Sequence, residues 1–149
     1  MDNATAFEDR SARFGLPFLF PGQAQREFYV NESLARLDML LHPTIERSAA
    51  EPPAELASGQ TFLITAPAAA AWQGKEGQLA GWDGQQWTFA HPATGMRVYD
   101  KSTGRFLLWH DEWIGATVPE EPKGGETVDL EARTALGKLI EILQKAGMF

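Results

Sequence analysis

Residues 81–87 read Gly81-Trp82-Asp83-Gly84-Gln85-Gln86-Trp87, two tryptophans on either side of an Asp-Gly turn. Asp-Gly between apolar runs suits a type I′ hairpin, because glycine tolerates the positive φ that such a turn requires. The flanking segments 77–82 and 86–90 then pair as antiparallel strands. Segments 96–100 and 105–109 flank Lys101-Ser102-Thr103-Gly104 as a second hairpin, with 91–95 as the loop between the two. A weak echo runs through the region. Trp82-Asp83-Gly84 with Trp87 is followed by Tyr99-Asp100 with Gly104 and Phe106, and then by Trp109-His110-Asp111-Glu112-Trp113, which keeps the rings and the acid but lacks the glycine. Each unit predicts a small hairpin with rings at both bases of its turn.

Outward from these hairpins the texture changes. Residues 60–65 (QTFLIT) predict another strand, with Phe62 and Ile64 on one face and Leu63 on the other. The 50–59 stretch is a loop, and 66–72 is a loop or a single helical turn. Toward the N-terminus, Asn31 is a good N-cap with Glu32 in the first turn, and Leu34, Leu37, Leu40 and Leu41 share one helical face. Pro43 stops this helix, which is expected over 32–41. Residues 116–127 are rich in Pro, Gly and Glu and predict a linker. Beyond it, Leu136, Leu139, Ile140 and Leu143 keep helical spacing, Asp129 offers an N-cap, Glu141 and Lys145 an i,i+4 pair, and Gly147 a stop. The expected fold is mainly β with flanking helices (α+β). It comprises an N-terminal segment with a short helix (1–42), a small tryptophan-rich antiparallel hairpin domain (43–115), a linker (116–128) and an amphipathic C-terminal helix (129–147). That helix either docks on its own domain or joins copies of the chain as a homo-oligomer, with a trimer favoured.

The composition narrows the function classes. Thirteen basic against twenty acidic residues give a net charge of −7. An acidic chain lacks the lysine and arginine face that a nucleic acid requires. There is no cysteine, and His42, His91 and His110 are too scattered for a metal site, so neither metal nor cofactor is expected. The first twenty residues carry acids where a signal peptide needs a basic start, and no run is long enough to span a membrane. These features predict a cytoplasmic chain without membrane insertion, at least until it joins what it serves.

All five tryptophans fall between 72 and 113. Cross-strand packing accounts for such rings at about 0.2–1 kcal/mol per pair. By alternation, Trp87 and Phe89 share a face, and Phe106 and Leu108 are expected inside, with Leu107 and Trp109 facing the other way. The competing use is a platform for sugar rings, whose flat C–H faces stack on aromatic side chains while carboxylates and amides bond the hydroxyls. Trp82, Asp83, Gln85, Tyr99, Trp109, Asp111 and Trp113 are the candidate glycan-binding residues, with Trp87 assigned to the core and Trp82 to contact. No nucleophile elbow, triad, P-loop or dinucleotide fingerprint appears, so no catalytic residue is assigned.

Leu16-Pro17, Pro21-Gly22-Gln23-Ala24-Gln25-Arg26-Glu27, Asn31-Glu32-Ser33-Leu34 and Leu37-Asp38 resemble the opening signature of the DUF2793 family. Trp72-Gln73-Gly74, Gly77, Leu79-Ala80-Gly81-Trp82, Gly84, Trp87 and Phe89-Ala90 continue the resemblance, which runs over about 16–114. Members of that family recur beside phage, prophage and gene-transfer-agent structural genes, alone or within fibre and spike proteins. The resemblance implies a non-enzymatic component of a phage-like particle (virion), a head spike or tail fibre that contacts host surface polysaccharide and other virion proteins. A structural anchoring module with buried rings is the alternative, and a polysaccharide-degrading enzyme ranks last.

Overall fold

A computed structural model describes residues 10–20, 22, 26–120, 123–125 and 128–149. Pro21, Gln23, Ala24 and Gln25 of the opening signature lie outside these residues. Helix α1 (Arg26–Leu40) is followed by two very short strands, β1 (Thr44–Ile45) and β2 (Ser48–Ala49). Then come β3 (Thr61–Ile64), a 3₁₀ turn (Ala70–Trp72), β4 (Leu79–Trp82), β5 (Trp87–Ala90), β6 (Arg97–Asp100), β7 (Arg105–His110), β8 (Glu112–Gly115) and α2 (Leu130–Lys145). The strands form two four-stranded sheets, ordered β2-β3-β4-β5 and β1-β6-β7-β8. The architecture is therefore mainly β with flanking helices, as expected. The hairpins are antiparallel, but β1 pairs with β6 and β2 with β3 in parallel, so each sheet is mixed rather than purely antiparallel. Two-residue strands leave too little periodicity to be read from the sequence.

Between the sheets lies a core of Ile45, Leu63, Leu79, Ala90 and Val98, closed by Met39 of α1. A second cluster covers the opposite face of the first sheet, where Phe62, Ile64 and Ala80 receive Trp72 from the 3₁₀ turn. All four residues of β3 are consequently buried. Alternation correctly placed Phe62 and Ile64 opposite Leu63, but both faces are covered.

Helix α1 begins at Arg26 rather than at Glu32, which puts Asn31 inside the helix. Its amide instead grips the segment ahead of the helix: Leu19 N–H donates to Asn31 Oδ1 (2.8 Å) and Asn31 Nδ2 donates to Leu19 O (3.1 Å). At the other end, Arg13 donates to the carbonyls of Asp38, Met39 and His42, groups that a helix terminus leaves without intrahelical partners. Met39 sits directly over Gly81, where a Cβ would stand 2.7 Å from the Met39 sulfur. Met39 is only 3% exposed and has no room to retreat. Gly81→Val is therefore expected to lower unfolding free energy by about 1–3 kcal/mol through overpacking. Urea denaturation checks this, and an unchanged midpoint would contradict the contact.

Asp129 caps α2 as the sequence predicts, its carboxylate accepting from Ala132 N–H at 2.9 Å. Glu141 and Lys145 pair at 2.7 Å, and the hydrogen bond and charge of Lys145 hold the Glu141 carboxyl below its usual range. Gly147, at φ +69°, ends the helix. No residue of α2 is buried.

Candidate functional site

The echo in the sequence corresponds to three hairpins whose aromatic residues are direct cross-strand partners. Trp82 opposes Trp87 with ring centroids 5.1 Å apart. Tyr99 opposes Phe106 at 5.2 Å, and Trp109 opposes Trp113 at 5.3 Å. In each pair the rings are strongly inclined to one another, the arrangement the aromatic quadrupole favours over face-to-face stacking. All six rings are half-buried.

The turns differ from one another. Because Trp82 pairs with Trp87, the first loop spans the four residues 83–86, and the expected two-residue type I′ turn does not form. Asp83 does not adopt positive φ; Gly84 does, at +104°. The Asp83 carboxylate accepts from Gln85 and Gln86 N–H, both at 2.8 Å, so its side chain builds the turn itself. Asp100 serves the second turn in the same way, accepting from the Ser102 amide and hydroxyl. In the third, which lacks glycine, Asp111 takes the left-handed conformation at φ +64°. Aspartate tolerates that region better than most residues.

The seven candidate residues do not form one surface. Trp82, Asp83 and Gln85 lie at the end of the first sheet where Ser58 donates to the Asp83 carbonyl. Trp82 shares a face with Trp87, which packs against the cluster around Trp72, so the two rings stand on the same side of the sheet. Trp109, Asp111 and Trp113 lie at the opposite end. There Trp113 Nε1 donates to Gly77 O at 2.8 Å, and the Trp109 ring comes within 3.5 Å of where a Gly77 Cβ would be. Five residues of extended chain, about 16 Å, separate Gly77 from Trp82. Tyr99 occupies a third location, on the outer face of the second sheet, where Gly147, just past α2, lies against it and Phe106.

That outer face overturns one expectation. Phe106 and Leu108 point outward, with Leu108 40% exposed, while Leu107 packs toward Val98 and the core between the sheets. An apolar run such as Phe106-Leu107-Leu108-Trp109 carries no alternation, so the sequence could not say which half faces in.

An aromatic pair with exposed polar groups beside it lies at the β7–β8 tip. Here the Trp109–Trp113 pair lies at the rim of the sandwich, with His110, Asp111 and Glu112 exposed next to it. The 91–96 loop is fastened alongside, Gly95 N–H donating to Trp109 O and Trp109 N–H to Met96 O. Sequence reasoning placed Gly77 in the family signature but gave it no role at this pair, which its carbonyl and missing side chain seat. A glycine just ahead of a strand was the available sign of such a close approach. Among the described residues no three His, Asp or Glu side chains gather as a metal site would require.

No curated protein and no solved structure matches the chain. The family described as "Protein of unknown function (DUF2793)" matches residues 30–114, from within α1 into β8 and including all three aromatic hairpins. The 16–29 signature and α2 lie outside that span. With 85 of 149 residues matched, the chain belongs to the DUF2793 family.

Proposed function

We propose that this protein is a non-enzymatic component of a phage-like particle, of the spike or fibre type, that binds host surface polysaccharide at its β7–β8 tip. The observation that carries the reading is the half-buried Trp109–Trp113 pair at the rim of the sandwich beside exposed His110, Asp111 and Glu112. The rings offer an apolar platform, and the neighbouring groups can bond hydroxyls, a combination common in ligand sites. Net charge of −7 fits a neutral, hydroxyl-rich ligand better than a phosphorylated one.

Binding of the full chain to purified capsular and O-chain polysaccharides tests the proposal. Trp109→Ala is expected to weaken binding at least tenfold while the far-ultraviolet spectrum stays unchanged. Asp111→Asn, which keeps a side chain suited to positive φ, is expected to weaken it less. Trp82→Ala, at the far end, is expected to leave it intact. Absence of binding to every polysaccharide, or equal binding by all variants, would instead support a structural spike module. That second reading is favoured by the packing of Trp72, Trp87 and Trp113 into hydrophobic clusters. Release of reducing sugar, lost in Asp111→Asn, would point to an enzyme.

A further inference from the structure

We propose that two copies of the chain associate through α2, antiparallel and centred on Leu139. This is independent of what the β7–β8 tip binds. Ala132, Ala135, Leu136, Leu139, Ile142 and Ala146 lie on one face of the helix, at the spacing of a coiled-coil seam. All six are exposed, Leu139 by 51% and Ile142 by 62%. This face has no cover within the described chain.

Charge argues for a second copy as its occupant. The chain carries −7, so two copies repel over most of their surface. From Asp129 to Gly147, three acids (Asp129, Glu131, Glu141) and three bases (Arg133, Lys138, Lys145) sum to zero. The helix is therefore a segment where like chains meet without net repulsion. Its halves differ: 129–136 carries −1 and 137–147 carries +1. Antiparallel pairing sets each acidic half against a basic one and opposes the helix dipoles favourably.

The anchoring of the helix favours the same arrangement. Phe106 N–H donates to Gly147 O at 2.7 Å, and Arg97 reaches the Met148 sulfur at 4.0 Å, fixing the C-terminal end of α2 to the second sheet. Sixteen residues span about 24 Å, so antiparallel helices hold the two anchor points at opposite ends of the pair. That distance exceeds the roughly 8 Å Debye length at physiological salt. A parallel trimer, the oligomer expected from the sequence, would gather three acidic domains at one end.

Light scattering and sedimentation equilibrium of the full chain test this. The expected mass is twice 16.4 kDa at high concentration. The double variant Leu139→Glu/Ile142→Glu is expected to raise the dissociation constant roughly 30-fold or more, with an unchanged circular dichroism spectrum because both side chains are exposed. The chain has no cysteine, so introduced thiols report orientation cleanly. Ala132→Cys and Ala146→Cys are expected to cross-link when mixed and not when oxidised separately. A monomeric or trimeric mass, or cross-linking of either variant with itself, would overturn the proposal.

Discussion

Asp38→Ala is expected to lower unfolding free energy by about 3–5 kcal/mol and to release the segment ahead of α1. Asp38 is 4% exposed and accepts three hydrogen bonds from that segment. The Ser11 hydroxyl donates to Oδ1 at 2.6 Å, Phe14 N–H to Oδ1 at 2.7 Å, and Arg13 N–H to Oδ2 at 2.9 Å. Bonds to a charged acceptor contribute more than neutral ones, and their loss leaves buried donors without partners. Ser11 also accepts from Leu16 N–H, so the turn it organises loses its support. The consequence reaches α1, because the same turn presents the Arg13 guanidinium to the helix's terminal carbonyls. Arg13→Ala is expected to cost less, about 1 kcal/mol, since its bonds go to neutral carbonyl acceptors and the one to His42 is exposed. Urea denaturation gives the two values. Hydrogen exchange should show early opening of α1 in Asp38→Ala, and protection equal to the parent's would refute the account.

The contrast between Asp38 and the hairpins shows where sequence is informative. The three aromatic hairpins were legible because their signal is local: rings, an acid and a turn within eight residues. The α2 cap, pair and stop were legible for the same reason. Asp38 was not, since a lone acid on an otherwise amphipathic helix reads as solvated, and its partners lie 24 to 27 residues away. The extent of α1 was misread because Asn31 suits a cap and equally suits the peptide-like grip on Leu19 that it makes. Among the candidate site residues, the sequence identified the correct rings as hairpin pairs. It could not separate the two ends of the sandwich, because that separation depends on how the second sheet lies on the first. Gly77, just ahead of β4, meets Trp113 across 36 residues, and the glycine itself is the sole local trace of that contact.

Trp72→Ala is expected to produce a loss as large, about 3–5 kcal/mol, by a different mechanism. Trp72 is fully buried and packs against Phe62 at 5.7 Å and Trp87 at 5.1 Å between ring centroids. It arrives on the 3₁₀ turn of an alanine-rich loop and covers a sheet face that otherwise holds Phe62, Ile64 and Ala80. Alanine would leave a cavity beneath Trp87, and with it the floor under the Trp82–Trp87 pair. The indole Nε1 adds a distinguishing feature, for it has no hydrogen-bond partner among the described residues. A buried donor left unpaired costs about 1–3 kcal/mol, which Trp72→Phe would recover while keeping most of the ring volume. Phenylalanine is therefore expected within about 1 kcal/mol of the parent, the recovered donor offsetting the smaller ring. Thermal and urea unfolding of both variants separate the terms. If phenylalanine costs as much as alanine, the indole nitrogen holds a partner within the folded protein, and ring volume alone does not account for the role of Trp72.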